Sequence, residues 1–257
     1  MDLNLRGKRG LVTGASKGIA AAAAEALAEE GCDLVLAARS ADLLEALATR
    51  LRHEHNIEAT AHAADLRKAD DLAALAASAG ELDILVNNAG DIPAGTLERV
   101  DEATWRHAWE LKVFGCINLT RAILARMKAR RRGVIINIIG AAGERFDAGY
   151  IAGAAGNAAL MTFTRAVGGR SVDEGVRVVG INPGPVETDR IVTLMKTRAQ
   201  AQFGDEARYP ELMARFPFGR AARPREIADL VAFLASERSA YTSGVVFTVD
   251  GGGSARG

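Results

Sequence analysis

Short apolar runs alternate with alanine-rich segments of helical length along nearly the whole chain of 257 residues, and this alternation limits the fold more than any other feature. Residues 11–13, 34–37, 57–61, 84–86, 134–136, 176–179 and 245–247 read as strands, and those lying between helices read as parallel strands buried on both faces. Strand, helix, strand in succession predicts an α/β fold: one doubly wound, parallel, seven-stranded sheet with helices on both faces. No repeat, low-complexity tract or Gly/Ser linker divides the chain, so a single domain over residues 1–257 is expected. The irregular stretch at 189–217, after the sixth strand, reads as a lid inserted over the carboxyl ends of the strands, where open α/β sheets bind ligands.

Charge and cysteine usage exclude several classes of function. With 32 basic and 32 acidic residues the formal net charge is zero, so no overall field gathers nucleic acid or an anionic membrane. The basic run at 126–132 reads as cations favoured at a helix C-terminus. Cys32 and Cys116 lack CxxC spacing and read as reduced, buried thiols of a cytoplasmic protein. His53 and His55 close a charged helix, His62 ends a strand and His107 has no evident partner, so no metal site is expected. No apolar run approaches membrane-spanning length.

The first motif follows the first strand. Thr13-Gly14-Ala15-Ser16-Lys17-Gly18-Ile19-Ala20 leads into a helix expected at 21–30; Gly14 permits the tight turn and Gly18 lets backbone approach a pyrophosphate at the helix N-terminus. A glycine turn between strand and helix also occurs without a ligand, so its neighbours carry the argument. These are Asp65-Leu66, Asn87-Asn88-Ala89-Gly90, the run from Asn182 to Thr188, and Val249-Asp250-Gly251-Gly252. In this order and spacing they resemble the short-chain dehydrogenase/reductase family, whose fold is a Rossmann-type sheet.

The resemblance implies a nicotinamide dinucleotide held by Gly14, Ser16, Gly18 and Ile19 at the pyrophosphate, Asp65 and Leu66 at the adenine, and Asn88, Ala89 and Gly90 at the adenine ribose, with Lys17 approaching the 2′-position opposite Arg39. Pro183, Gly184, Val186 and Thr188 would lie on the nicotinamide side, and Ile138 is a further cofactor-binding candidate. Arg39 and Ser40, with no acid at the tip of the second strand, favour NADP(H) over NAD(H), because a 2′-phosphate calls for cations and a 2′-hydroxyl for a carboxylate. Arg39 could instead stack on the adenine.

The chain departs from the family where the chemistry sits. Two registers, one from residues 157–165 and one from the fifth strand, put the family's tyrosine, lysine and serine at Gly153, Asn157 and Gly140, and Trp105 anchors a third that puts its asparagine at Lys112. Loss of such a general acid/base is worth about 10²- to 10⁴-fold, and the members act as one unit. Against the family pattern, lysine and asparagine are exchanged: Lys112 on the fourth helix could supply the charge near the nicotinamide ribose and Asn157 on the fifth the hydrogen bond. Alternatively Lys112 reaches along its helix to solvent. Tyr150, three residues before Gly153, is a second proton-donor candidate, although a helical side chain there would lean toward the mouth and serve substrate contact or packing. Glu144 and Asp147 share its loop, either to orient a ligand or as charges facing water.

Two functions remain open at this level. One is an NADP(H)-dependent oxidoreductase with a rewired proton relay, acting on a carbonyl or hydroxyl of a partly apolar small molecule. Its lid would present Ile191, Val192, Leu194, Met195, Phe203, Tyr209, Leu212, Met213 and Phe216. The other is a catalytically inactive module that binds NADP(H) and signals to a partner. The resemblance also implies a homotetramer or homodimer through the helix at 224–236 and the last strand.

Overall fold

The computed structural model describes residues 2–144 and 147–256. Seven parallel strands, β1 (Arg9–Thr13), β2 (Asp33–Ala38), β3 (Ala59–Ala63), β4 (Ile84–Asn87), β5 (Gly133–Ile138), β6 (Val176–Pro183) and β7 (Val246–Val249), form one sheet in the order β3-β2-β1-β4-β5-β6-β7. β1 pairs with β2 on one side, Leu11 opposite Val35, and with β4 on the other, Leu11 opposite Leu85. The chain therefore winds outward in two directions from the crevice between β1 and β4, as the apolar alternation predicts.

Each face of the sheet carries its own core. On one face α1 (Gly18–Glu29), α2 (Ala41–His55) and α9 (Pro224–Ala235) bury Leu27, Leu44, Leu51, Ile227 and Val231 against Val12, Leu36, Ile84 and Ile136. On the other, α3 (Ala69–Ser78) and α5 (Gly115–Ala129) bury Leu72, Leu75, Leu119, Ile123 and Met127 against Leu11, Val35, Leu85 and Ile135. Alanine at 20, 23, 24 and 28 makes α1 thin on its buried side, which lets it lie close to α9. The remaining helices are α4 (Glu102–Trp109), α6 (Ile151–Ser171), α7 (Asp189–Phe203) and α8 (Tyr209–Met213).

Three boundaries differ from expectation. α1 begins at Gly18 rather than Ala21, the chain entering the helix through that glycine at φ +64°. β3 starts at Ala59, since Asn56 closes α2 in the left-handed conformation and Ile57 belongs to the turn. The stretch 189–217 is mostly helical, α7 and α8 enclosing a small core of Met195, Ala199 and Leu212. The basic run at 126–132 is spent on structure: Arg126 donates to the Ala76 carbonyl, Arg130 to that of Leu82, and Arg132 pairs with Asp83. Cys32 and Cys116 are free and buried, and no described helix is long and apolar enough to cross a membrane.

α6 crosses β6 and the β7 approach at Gly168, where an added Cβ would overlap the Val178 carbonyl oxygen and stand 2.5 Å from Gly244 N. Backbone cannot yield as a flexible side chain can, so Gly168→Ala is expected to cost about 1–3 kcal/mol in urea unfolding. A midpoint unchanged from wild type would contradict this packing.

Candidate active site

The carboxyl ends of β1, β4, β5 and β6 open into a cleft of about 1570 Å³ roofed by α7. Thr13 ties its floor together: its hydroxyl donates to the Val86 carbonyl at 3.3 Å and accepts from Asn88 N at 3.0 Å and Ala89 N at 3.3 Å. This brings the β1–α1 turn against the loop after β4, so that a Cβ on Gly14 (φ +72°) would stand 3.1 Å from Ala89 Cα. Beneath, Asn87 Nδ2 donates to Thr120 Oγ1 and Asn137 Oδ1, and Asn137 Nδ2 to Thr164 Oγ1 at 2.9 Å, a buried chain that fixes β4 and β5 against α5 and α6.

The cradle fits a dinucleotide pyrophosphate. α1 starts at Gly18 with no side chain capping its N-terminus and no acid in its first turn, so its backbone N–H groups face the cleft. Gly14, Ser16, Lys17, Gly18, Ile19, Arg39, Ser40, Leu66, Asn88, Ala89, Gly90, Lys112, Ile138, Pro183, Gly184, Val186 and Thr188 all line the cleft. Asp65 does not: its carboxylate is turned to the Arg67 guanidinium, which holds it down at about 2. Arg67 also contacts His107, so that histidine has a partner after all. Asp65 and His107 are 42 residues apart in sequence, and only the fold brings both to one guanidinium.

Lys112 enters the cleft rather than running to solvent. Between α4 and α5 the helix opens into a π-turn, Glu110–Phe114, whose extra residue re-aims the side chains it contains. Trp109 pins this segment by donating from Nε1 to the Ala152 carbonyl at 2.9 Å. Lys112 lies across Gly90, where a Cβ would overlap its stem, and its Nζ donates to the Ile138 carbonyl at 2.8 Å. Burial, with smaller opposing effects from Cys116 and Arg190, pushes its amine down to about 8. The Cys116 thiol beside it is pushed up to about 11, again by burial.

Tyr150 departs most from expectation. It is the N-cap of α6, with φ −138° and ψ 38°, so the rule that helical side chains lean toward the N-terminus does not govern it. A backbone bridge to Gly95, with Gly95 N donating to the Gly149 carbonyl at 2.8 Å, holds it there. From that position its ring folds back over Gly153 and fills the space a side chain there would need: a Cβ would overlap the ring and lie 2.6 Å from the hydroxyl. Arg190, on the first turn of α7, donates from Nη2 to Tyr150 Oη at 3.1 Å and to the Ile92 carbonyl.

Asn157 is buried, and its amide fills the space beside Gly140, where a Cβ would stand 2.8 Å from Nδ2. Gly140 also has φ +142°, a conformation that L side chains avoid. Asp147 lines the cleft, whereas Glu144 accepts from Asn182 Nδ2 and Thr248 Oγ1 and so braces β6 and β7. Of the lid's apolar residues, Ile191, Leu194, Met195 and Phe216 reach the cleft, while Phe203, Tyr209, Leu212 and Met213 pack within the lid. Sequence reasoning passed over Arg190 and Arg198 on α7 and Arg215 in the turn after α8, which also line it; exposed arginines carry no periodic signal. Among the described residues one cluster could approach a metal, Glu25, Glu54 and His55, but Arg50 bonds to both glutamates and His55 to Glu25.

Two outcomes follow. Gly153→Ala is expected to expel the Tyr150 ring and alter ligand binding while the melting temperature falls little. An unchanged ring position in its crystal structure would refute the fit. Between about pH 8 and 10.5 the folded protein holds Lys112 neutral while the unfolded chain keeps the proton, so unfolding free energy rises with pH there. Wild type should therefore gain stability relative to Lys112→Met across that window in paired urea titrations, and parallel curves would show an amine that is not desolvated.

Known proteins place this geometry. The family model for short chain dehydrogenases matches residues 8–199. A 3-oxoacyl-[acyl-carrier-protein] reductase of Vibrio cholerae is 36% identical over 261 residues, covering 97% of this chain and 98% of the relative. A 2-keto-3-deoxy-L-fuconate dehydrogenase of Xanthomonas campestris is 34% identical, over 98% of this chain and 81% of the relative. The crystal structure of L-sorbose reductase from Gluconobacter frateurii complexed with NADPH and L-sorbose superposes with a TM-score of 0.91 at 32% identity, covering 98% of each chain. With the parallel sheet, the glycine cradle and full-length similarity all in agreement, the chain belongs to the short-chain dehydrogenase family of oxidoreductases.

Proposed function

We propose that the protein is an NADP(H)-dependent oxidoreductase that interconverts a carbonyl and a hydroxyl on a small molecule, with Lys112, Tyr150 and Asn157 in place of the family's usual proton-relay set. The observation that carries this reading is complementary replacement: the Tyr150 ring and the Asn157 amide occupy the volumes left open at Gly153 and Gly140, and Lys112 enters from the opposite wall. A site losing function to drift has no reason to refill each vacated position with another polar group. The relatives named as reductases and dehydrogenases support the reaction class.

The dinucleotide, when bound, supplies or accepts the hydride at its nicotinamide. Gly14, Ser16, Gly18 and Ile19 would hold its pyrophosphate, Leu66 and the Asn88–Ala89–Gly90 loop its adenosine, and Ile138, Pro183, Gly184, Val186 and Thr188 the nicotinamide side. Arg39 is exposed at the tip of β2 and forms no ion pair among the described residues, which leaves its guanidinium for a 2′-phosphate. Lys17 lies on the other side of that position, paired at 3.9 Å with Asp189.

The chain's own part is to hold and move a proton. Lys112 keeps its proton below about pH 8, and burial makes that proton easier to release than an ordinary lysine's. The Tyr150 hydroxyl, oriented by Arg190, is the second group in the cleft able to donate to a carbonyl oxygen. Asn157 supplies an uncharged amide where the family keeps a cation, so the positive charge comes from Lys112 on the opposite wall. α7 and α8 act as the lid that excludes water. Assembly as a homotetramer or homodimer and a cytoplasmic location are further parts of the proposal. Much of α9 is already buried against α1, and Phe233 is the large apolar side chain it leaves exposed.

NADPH titration by fluorescence, followed by single-turnover oxidation against a carbonyl panel at high enzyme concentration, tests the proposal. Lys112→Met should weaken NADPH binding and remove the fall in reduction rate expected as pH rises through about 8. Arg39→Ala should cut the preference for NADPH over NADH by about 10-fold or more, the worth of a hydrogen bond to a charged group. Binding without oxidation anywhere on the panel would instead favour a nucleotide-sensing module, and failure to bind either nicotinamide would end both readings.

A further inference from the structure

We propose that the substrate carries a carboxylate near its reactive carbonyl, and that Arg190 on the lid is the specificity-determining residue that receives it, with Lys112 completing the positive pocket. This rests on the oxidoreductase reading above and names the substrate class for the same cleft.

Arg190 is distinguished by where it is held. Many arginines outside the cleft bond a carboxylate, as Arg225 does with Glu29 and Asp229, or Arg220 with Glu226, and Arg121, Arg126, Arg131, Arg177 and Arg238 bond neutral oxygens away from the cleft. Arg190 reaches from α7 across the cleft, bonds two neutral oxygens through Nη2, the Ile92 carbonyl and the Tyr150 hydroxyl, and lies 5.9 Å from the Tyr150 ring centroid, with no carboxylate partner among the described residues. Its Nε and Nη1 have no protein partner among the described residues, so part of the planar fork is free while the group is already oriented. An anchored guanidinium loses little further freedom when a carboxylate docks.

Lys112 repeats the pattern deeper in the same cleft. Its ammonium bonds one backbone carbonyl and no carboxylate, leaving other N–H donors free. Both cations line one cleft. Asp91, Asp147 and Glu187 line it as well, but none forms an ion pair with Arg190 or Lys112 among the described residues, while Asp189 pairs with Lys17 and Asp250 accepts from Gly252 and Ser254. An anion in this cleft gains from both cations, which a neutral ketone does not. Arg198 and Arg215 add to the same sign on the lid side. The N-terminus of α7, which no side chain caps, faces the same way.

The test uses the full-length protein saturated with NADP⁺, so that binding is read without turnover. Calorimetric titration compares 2-oxo-, 3-oxo- and 4-oxohexanoate with their methyl esters. At least one acid should bind about 10-fold or more tighter than its ester, the discrimination expected when a charge-assisted hydrogen bond is lost. Arg190→Gln should erase that preference and leave ester binding nearly unchanged. Arg190→Lys should restore only part of it, because an ammonium lacks the fork. Tyr150→Phe should keep the preference, since the Ile92 carbonyl still anchors the guanidinium. Equal affinity for acids and esters throughout, or a preference that survives in Arg190→Gln, overturns the proposal. If NADPH binds and neutral ketones are reduced while acids gain nothing, only this inference falls. If NADP⁺ does not bind, the oxidoreductase reading falls, and the same titration on the nucleotide-free protein still decides whether Arg190 selects an anion.

Discussion

The hydroxyl of Thr13 is a small group with wide consequences. By bonding the Val86 carbonyl and the amides of Asn88 and Ala89, it locks the end of β1 to the loop leaving β4, at the place where the sheet winds in two directions. Everything used for binding hangs from that junction. The Gly14 turn can press against Ala89 because neither side carries bulk, and α1 then begins with its amides aimed into the cleft. The buried chain from Thr120 through Asn87 and Asn137 to Thr164 carries the same order outward to α5 and α6, the two helices that flank the chemical end. Three hydrogen bonds run along this buried chain and specify one arrangement where an apolar core would allow several, although Asn87 Oδ1 itself has no partner.

Around that frame the site is built by exchange between side chains and spaces. Gly153 makes room for a phenol from three residues upstream, Gly140 for the amide at 157, and Gly90 for the lysine stem. Gly140 adds a backbone constraint, because its conformation is closed to the serine usual in the family. Restoring single family residues would therefore collide with the replacements rather than repair the site. The effects of these positions on function should be strongly non-additive, as expected for groups sharing one volume.

Much of this could be read before any coordinates. The strands were legible because burial on both faces leaves uninterrupted apolar runs, and the dinucleotide loops because glycine, asparagine and proline recur at the ends of those strands. Lys112 was identifiable by register, and its entry into the cleft was one of two open alternatives. What could not be read concerns side chains at the seams between elements. Tyr150 was judged as a helical residue, but it sits at the cap, where its dihedrals free the ring to turn back. His107 finds Arg67, and Asp65 is drawn from the cleft by the same arginine. Neither pairing leaves a periodic trace.

Local composition and spacing by themselves determined the sheet, the two-way winding and the nucleotide cradle, because each depends on which residue types recur at short range. Tertiary structure alone decided how the polar side chains of the cleft are placed. The Trp109 bond to Ala152 that pins the π-turn carrying Lys112, the Gly95 bridge that holds Tyr150 at the cap and the reach of Arg190 from the lid to Ile92 are contacts between segments far apart in the chain. Their energies depend on packing geometry and on burial in a common cleft, which no one segment encodes.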